Sequence, residues 1–275
     1  LKKGLLTWSE VQEGAGPNVT LLLCGVMNNT TTLFEPHLDS IKKRGDYYFL
    51  DYSRTFDLSA AAEQTAGFIE ALTDSYEKVF LEGVSLGGKV FAAAVQKIDH
   101  TYYDRISLRL INTPLQPKNL KNAVARTGLA RFIPGKVPFF QKNLDLLLRE
   151  GHSSSSVDAQ REYYSAALCR GEGYPMNEIN DADRLTNSRI NWKIFTDQVK
   201  GLSRSLADNE GRCCLEEVIV VASMYDDQID PFGSAASASD MFRSYNWHNI
   251  VLETGHSTLL VAHDIWQKYY YRIYG

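Results

Sequence analysis

No stretch of this 275-residue chain is apolar for long enough to cross a membrane; the longest, Val19 to Met27, covers about half of the roughly 20 residues that a spanning helix requires. The opening Leu-Lys-Lys-Gly-Leu-Leu lacks the extended apolar stretch that a secretory signal places after its charged residues. Cysteine is scarce. Cys24, Cys169, Cys213 and Cys214 match neither the CxxC spacing of metal sites nor a disulfide framework, so reduced thiols and no bound metal are expected. Glycosylation acceptors at Asn18, Asn28 and Asn29 bracket one apolar strand, where a sugar would obstruct folding, and together with the thiols they point to a cytoplasmic protein. Basic residues are not in excess either. With 29 Lys+Arg against 33 Asp+Glu the net charge is -4, whereas tracking a phosphate backbone needs clustered Lys and Arg, so no nucleic-acid partner is expected. An apolar share of 44% with 23% charged residues excludes disordered and collagen-like classes, and no internal repeat or sustained heptad is present.

What is there is an alternation. Short runs rich in Val, Ile, Leu and aromatics at 18–24, 47–51, 78–83, 106–112, 217–222 and 248–252 read as strands, with segments of helical period between them. This is the pattern of a mostly parallel sheet flanked by helices. In 59–72, Ala62, Ala66, Phe68, Ile69 and Leu72 recur at three- and four-residue spacing, and Val90, Phe91, Ala94 and Val95 repeat it in 88–98. Residues 232–242 and 258–270 also read as helices. From Gln116 to Ser205 the rhythm breaks into helix-like stretches and a four-serine linker at 153–156, with no convincing strand. The expected organisation is therefore an α/β core formed by 1–115 and 206–275, carrying a helical insertion over 116–205. That interval holds 14 Lys+Arg and 9 Asp+Glu, against 15 and 24 in the rest, so charge segregates with the boundary; solvated helix faces explain it more simply than attraction of an anion.

Gly83-Val84-Ser85-Leu86-Gly87 falls between the strand at 78–83 and the helix opening at Gly88. A serine at so sharp a strand-to-helix turn is held in a strained conformation, and its neighbours two positions either side must be nearly free of side chain. The amide of Leu86, at the helix start, would then face an oxyanion formed when Ser85 attacks a carbonyl. The bare GxSxG pattern arises by chance in roughly one chain in ten of this length, and the flanking strand and helix remove most such accidents. The same stretch nearly spells a phosphate-binding loop, since Gly83, Gly88 and Lys89 satisfy GxxxxGK. Val90 stands where that loop needs a hydroxyl to hold magnesium.

A serine nucleophile needs a base oriented by a third group. Past the strand at 217–222 comes Ser223-Met224-Tyr225-Asp226-Asp227-Gln228-Ile229-Asp230-Pro231, and past the last strand Glu253-Thr254-Gly255-His256-Ser257. Asp226 is the leading acid, with Asp227 and Asp230 as competitors. His256 is preferred to His37, His100, His152, His248 and His263 because Gly255 permits a tight loop directly after a strand.

With its elbow, its acid loop and Gly255-His256-Ser257 in that chain order, the sequence resembles the α/β-hydrolase superfamily over nearly its whole length. The resemblance implies an α/β-hydrolase fold and a Ser85–His256–Asp226 triad. The family's acid loop, Gly-x-x-Asp-x-x-Val-Pro, places its Asp at Asp226 and its Val at Ile229; Ser223 replaces its glycine, and its proline arrives one place late, at Pro231. A second oxyanion donor is implied in the loop after the first central strand, often His-Gly-x and here Cys24-Gly25-Val26: the amide of Val26, with Met27 as the fallback and Asn28 beside it lining the site. Cys24 ends a buried strand without an adjacent base and is not read as a nucleophile. The loop Asp51-Tyr52-Ser53-Arg54 lacks the glycine-rich turn common in the family. The insertion at 116–205 falls where the superfamily places a helical cap, whose Phe132, Phe139, Phe140, Tyr163 and Phe195 would wall a pocket or pack the cap itself.

The implied reaction is hydrolysis of a small-molecule carboxylic ester through an acyl-enzyme, similar to carboxylesterases and monoacylglycerol lipases and without a cofactor. Ser rather than Asp at the elbow argues against haloalkane dehalogenase and epoxide hydrolase chemistry. Thioesterase, amidase or peptidase, carbon-carbon hydrolase and acyltransferase share the triad, and a hydrolase-like binding protein with little turnover is the alternative of a different class.

Overall fold

The computed structural model describes residues 6–8, 13–26, 30–52, 56–121, 192–206, 213–224, 226, 228–253, 266–271 and 273. Among the described residues seven strands form one sheet: β1 (Leu6–Trp8), β2 (Asn18–Leu23), β3 (Gly45–Tyr52), β4 (Val79–Val84), β5 (Ile106–Ile111), β6 (Cys213–Ser223) and β7 (Phe242–Leu252), in the order β1-β3-β2-β4-β5-β6-β7. Only β1 is antiparallel, on β3. The other six run parallel, so their C-terminal ends and the loops that leave them share one edge of the sheet. All six expected strands are present.

Helices cover both faces, which is why β4 and β5 are buried along their whole length and read as near-continuous apolar runs. On one face lie α3 (Leu58–Thr73) and α4 (Leu86–Val95), joined to the sheet in a core that includes Leu21, Leu81, Val90 and Leu108. Asp57 caps α3, its carboxylate accepting from the amide of Ala60. The expected apolar face of α3 is inward, with Phe68 half-buried edge-on to Tyr48. All ten residues of α4 are buried, so it is a central helix with no wet face. The opposite face is closed by the short helices α1 (Thr30–Phe34) and α2 (Leu38–Lys42) and by the C-terminal turn Gln267–Tyr271. Among the described residues, α5 (Trp192–Leu202) precedes β6 and α6 (Pro231–Met241) leads without a break into β7.

Buried charge is a feature that the apolar reading of the strands did not anticipate. Glu82 and Arg109 point to the face closed by the C-terminal turn, and neither exceeds 3% exposure. Arg44 donates to Glu82 at 3.1 Å, the Tyr271 hydroxyl donates to its other oxygen at 2.6 Å, and Arg109 pairs with Glu217 at 3.4 Å. A buried charge survives only with such partners. The strand ends also differ from expectation: β7 begins at Phe242 rather than near 248, and β6 at Cys213 rather than 217, because the two pair along their length, Cys213 with Phe242 through Ser223 with Leu252. Of the insertion, 116–121 and 192–205 are described and 122–191 lie outside the described residues, as do 258–265 of the last expected helix.

Candidate active site

Ser85 stands between β4 and α4 with φ 52° and ψ -113°, and only one other non-glycine residue among those described, Asn112, has a positive φ. Sterics require the glycines around Ser85. A Cβ on Gly83 would collide with the backbone of Gly88, one on Gly87 with the carbonyl oxygens of Leu23 and Cys24, and one on Gly88 with the hydroxyl of Thr113. Glycines two positions either side of Ser85 are thus required by close backbone approach, in agreement with the expectation from sequence. The Ser85 amide donates to Ile111 at 2.8 Å, tying the elbow to the end of β5, and its carbonyl accepts the first helical bond, from Lys89 at 3.2 Å. Leu86 is the first residue of α4 and wholly buried. Its amide is among the donors at a helix start that have no intrahelical acceptor.

Asn112 follows Ile111 with φ 43°, a conformation Asn tolerates better than most residues. Its amide donates to Val221 at 2.9 Å, and its Oδ1 accepts from the amide of Ser223 at 2.9 Å. No sequence motif marks this residue, which stitches the end of β5 to the start of the loop after β6. In that loop Asp226 is 2% exposed; its Oδ1 accepts from the amides of Gln228 at 2.8 Å and Ile229 at 2.9 Å. The segment that opens the insertion braces it from outside. Leu120 bridges Ile229, Lys121 donates its amide to Gln228 at 2.8 Å and its ammonium to the backbone oxygen of Asp226 at 2.6 Å, and Asp230 donates its amide to Asn119 at 2.7 Å. Asp230 itself caps α6, its carboxylate accepting from Phe232 at 3.2 Å. Asp227 lies outside the described residues.

At the end of β2, the Cys24 amide donates to the Thr30 hydroxyl at 3.2 Å and its carbonyl accepts from the Tyr52 hydroxyl at 2.8 Å. Burial pushes the Cys24 thiol up to about 12, which keeps it protonated and unreactive. Val26 is half-buried against the main core. Met27 and Asn28 lie outside the described residues, and so do His256, His152 and His263. Of the remaining histidines, His37 is buried, stacked on Tyr271 and bonded to Gln267 at 3.2 Å. His100 lies in the turn before β5, at the sheet edge opposite Ser85, and His248 lies within β7 rather than past its end.

Lys89 does not line a phosphate loop. It is wholly buried, and its ammonium donates to the backbone oxygens of Leu202 and Arg204, each at 2.6 Å. Among the described residues no group of three or more His, Cys, Asp or Glu is disposed to hold a metal, and no helix is long and apolar enough to cross a membrane.

No family sequence model and no curated protein sequence matches the chain. Solved structures do. A lipase-esterase related protein from Clostridium acetobutylicum superposes with a TM-score of 0.63 at 12% identity, covering 94% of this chain and 95% of that one. The enol-lactonase from Burkholderia xenovorans gives 0.60 at 14% identity over 96% and 94%, and a thermophilic esterase from Thermogutta terrifontis gives 0.57 at 17% identity over 94% and 89%. With its parallel sheet and flanking helices, the protein has the α/β-hydrolase fold.

Proposed function

We propose that the protein is a serine hydrolase that cleaves small-molecule carboxylic esters through an acyl-enzyme on Ser85. The observation that carries this reading is the backbone of Ser85: a non-glycine residue at φ 52°, flanked by Gly83 and Gly87 where any Cβ would collide with backbone, at the C-terminal edge of a parallel sheet. Such strain persists where a surrounding structure enforces it, and it presents the hydroxyl above a helix N-terminus. Asp226, buried past the end of β6, supplies the acid, and His256, past the end of β7, the base. Supporting this choice of bond, the three solved structures named above are two esterase-type proteins and a lactonase, and a lactone is a cyclic ester.

In the first half-reaction the Ser85 oxygen attacks the ester carbonyl carbon while its proton passes to His256. The oxyanion accepts hydrogen bonds from the amides of Leu86 and Val26. Collapse breaks the bond to the alkoxy oxygen, which leaves as the alcohol with the proton from His256. Water then attacks the acyl carbon, giving its proton to His256; the Ser85–acyl bond breaks, the carboxylic acid departs and Ser85 recovers its proton. Asp226 holds the imidazole in the useful tautomer and stabilises its cation. The insertion that the sequence marks over 116–205 is the cap in this reading, shaping the acyl or alcohol pocket.

Treatment with a fluorophosphonate tests this reading. A single phosphonyl adduct, mapped to Ser85, is expected. Folded protein that takes up no label would overturn it in favour of a binding protein with the same fold.

A further inference from the structure

The last register pair of β2 with β3 is Leu23 with Leu50, so Cys24 is the first residue beyond the ladder and begins the loop that carries Val26. Side chains hold its peptide groups there. Thr30 accepts from the Cys24 amide on its hydroxyl oxygen and donates that hydroxyl to the Leu50 carbonyl at 2.5 Å, while its backbone amide donates to the Asp51 carboxylate at 3.1 Å. From the other side the Tyr52 hydroxyl donates to the Cys24 carbonyl, which is also, with that of Leu23, one of the two oxygens that a Cβ on Gly87 would strike. The peptide leading into the loop is therefore clamped between β3 and the elbow itself. Only Gly25 separates it from Val26.

We propose that Tyr52 is a positioning residue of the oxyanion loop: by holding the Cys24 carbonyl, its hydroxyl sets where the Val26 amide stands relative to Ser85. The inference rests on the serine-hydrolase reading of Ser85. The ring of Tyr52 is fixed edge-on to Phe56 at 5.3 Å, so the hydroxyl has a defined reach. Burial raises that hydroxyl well above 10, and it remains a donor throughout the range in which a histidine base works. A displaced oxyanion donor weakens the transition state and leaves the ground-state ester contacts alone, which separates this role from general packing.

The test compares wild type with Tyr52→Phe, which keeps the ring and removes the hydroxyl. Turnover of a p-nitrophenyl ester and inhibition by a trifluoromethyl ketone, which adds to the serine as a tetrahedral oxyanion, are measured on both. The expected result is a fall in kcat of about tenfold with KM within about twofold, matched by a rise of about tenfold in the ketone's inhibition constant. Unchanged ketone affinity overturns the proposal, and so does a loss of ester activity carried by KM. If Tyr52→Phe does not fold, Thr30→Val, which releases the amide of Cys24, is read the same way: wild-type ketone affinity overturns the clamp. Wild-type protein that neither labels at Ser85 nor turns over ester would instead bring down the serine-hydrolase reading and Tyr52's role with it.

Discussion

The ammonium of Lys89, wholly buried in the helix behind Ser85, donates to the carbonyl oxygen of Leu202 at 2.6 Å and so caps the C-terminus of α5, 113 residues further along the chain. Cations are favoured at that end of a helix, yet burial opposes the charge and lowers this lysine from 10.5 to about 7. In the unfolded chain it stays protonated up to about 10.4. The unfolded state thus binds the extra proton between these two values, and stability rises with pH across that window, by at most about 1.4 kcal/mol per unit. Chemical denaturation of wild type and Lys89→Met from pH 6.5 to 9.5 should show this increment in the wild type alone. Parallel curves would contradict it.

Gly87 abuts the carbonyls of Leu23 and Cys24, and neither backbone can retreat without unpicking the sheet. Gly87→Ala should therefore destabilise by about 1–3 kcal/mol or more, as overpacking does. Gly67, exposed in the middle of α3 with nothing near its missing Cβ, is the control. Gly67→Ala should stabilise by about 0.5–1 kcal/mol through helix propensity. Thermal midpoints moving the same way in both variants would mean that the elbow is not packed as described.

Ser85→Ala and His256→Ala should each lower kcat by about 10⁴–10⁶-fold while leaving the unfolding midpoint close to wild type. The kcat/KM of the wild type should climb from acid pH as His256 loses its proton, because only neutral imidazole serves as a base. Turnover that survives in Ser85→Ala would place the nucleophile elsewhere.

Asp226 and Asp230 sit four residues apart with different hydrogen-bond partners, one beneath the amides of Gln228 and Ile229, the other on the first turn of α6. Asp226→Asn should cut kcat by about 10⁴-fold, the effect of losing the acid of a serine triad. Asp230→Ala should leave kcat near wild type and reduce stability by about 1 kcal/mol, the usual effect of a lost N-cap. Asp227→Asn serves as the third member of the series, and a larger kcat effect there than at Asp226 would move the acid by one residue.

The features legible in the amino-acid sequence are those whose signal is local. Buried parallel strands such as β4 and β5 announce themselves as apolar runs, α3 as an apolar period, and the elbow as the pattern of Gly83 and Gly87 around Ser85; the collision that requires Gly83 arises within the turn, whereas the one that requires Gly87 is with Leu23 and Cys24 at the end of β2. β1 has only three residues, too few for a pattern, and the polar first half of β7 is a strand because β6 lies beside it. Asn112 could be suspected only from its tolerance of the left-handed region, and nothing in the sequence around it says that it meets Ser223.

By itself, then, the sequence determined the fold class, the chain order of the six parallel strands and of the helices α3, α4 and α6, and the glycine-flanked serine at a strand-to-helix turn, all of them legible as patterns over a few neighbouring positions. Tertiary structure decided which polar groups meet. Lys89, whose neighbours spell most of a phosphate-loop pattern, holds a distant helix end; Glu82 finds Arg44 and Tyr271; and Tyr52, in a stretch without any motif, reaches the carbonyl of Cys24. A buried donor must find an acceptor wherever the fold brings one, and that acceptor has no fixed distance along the chain.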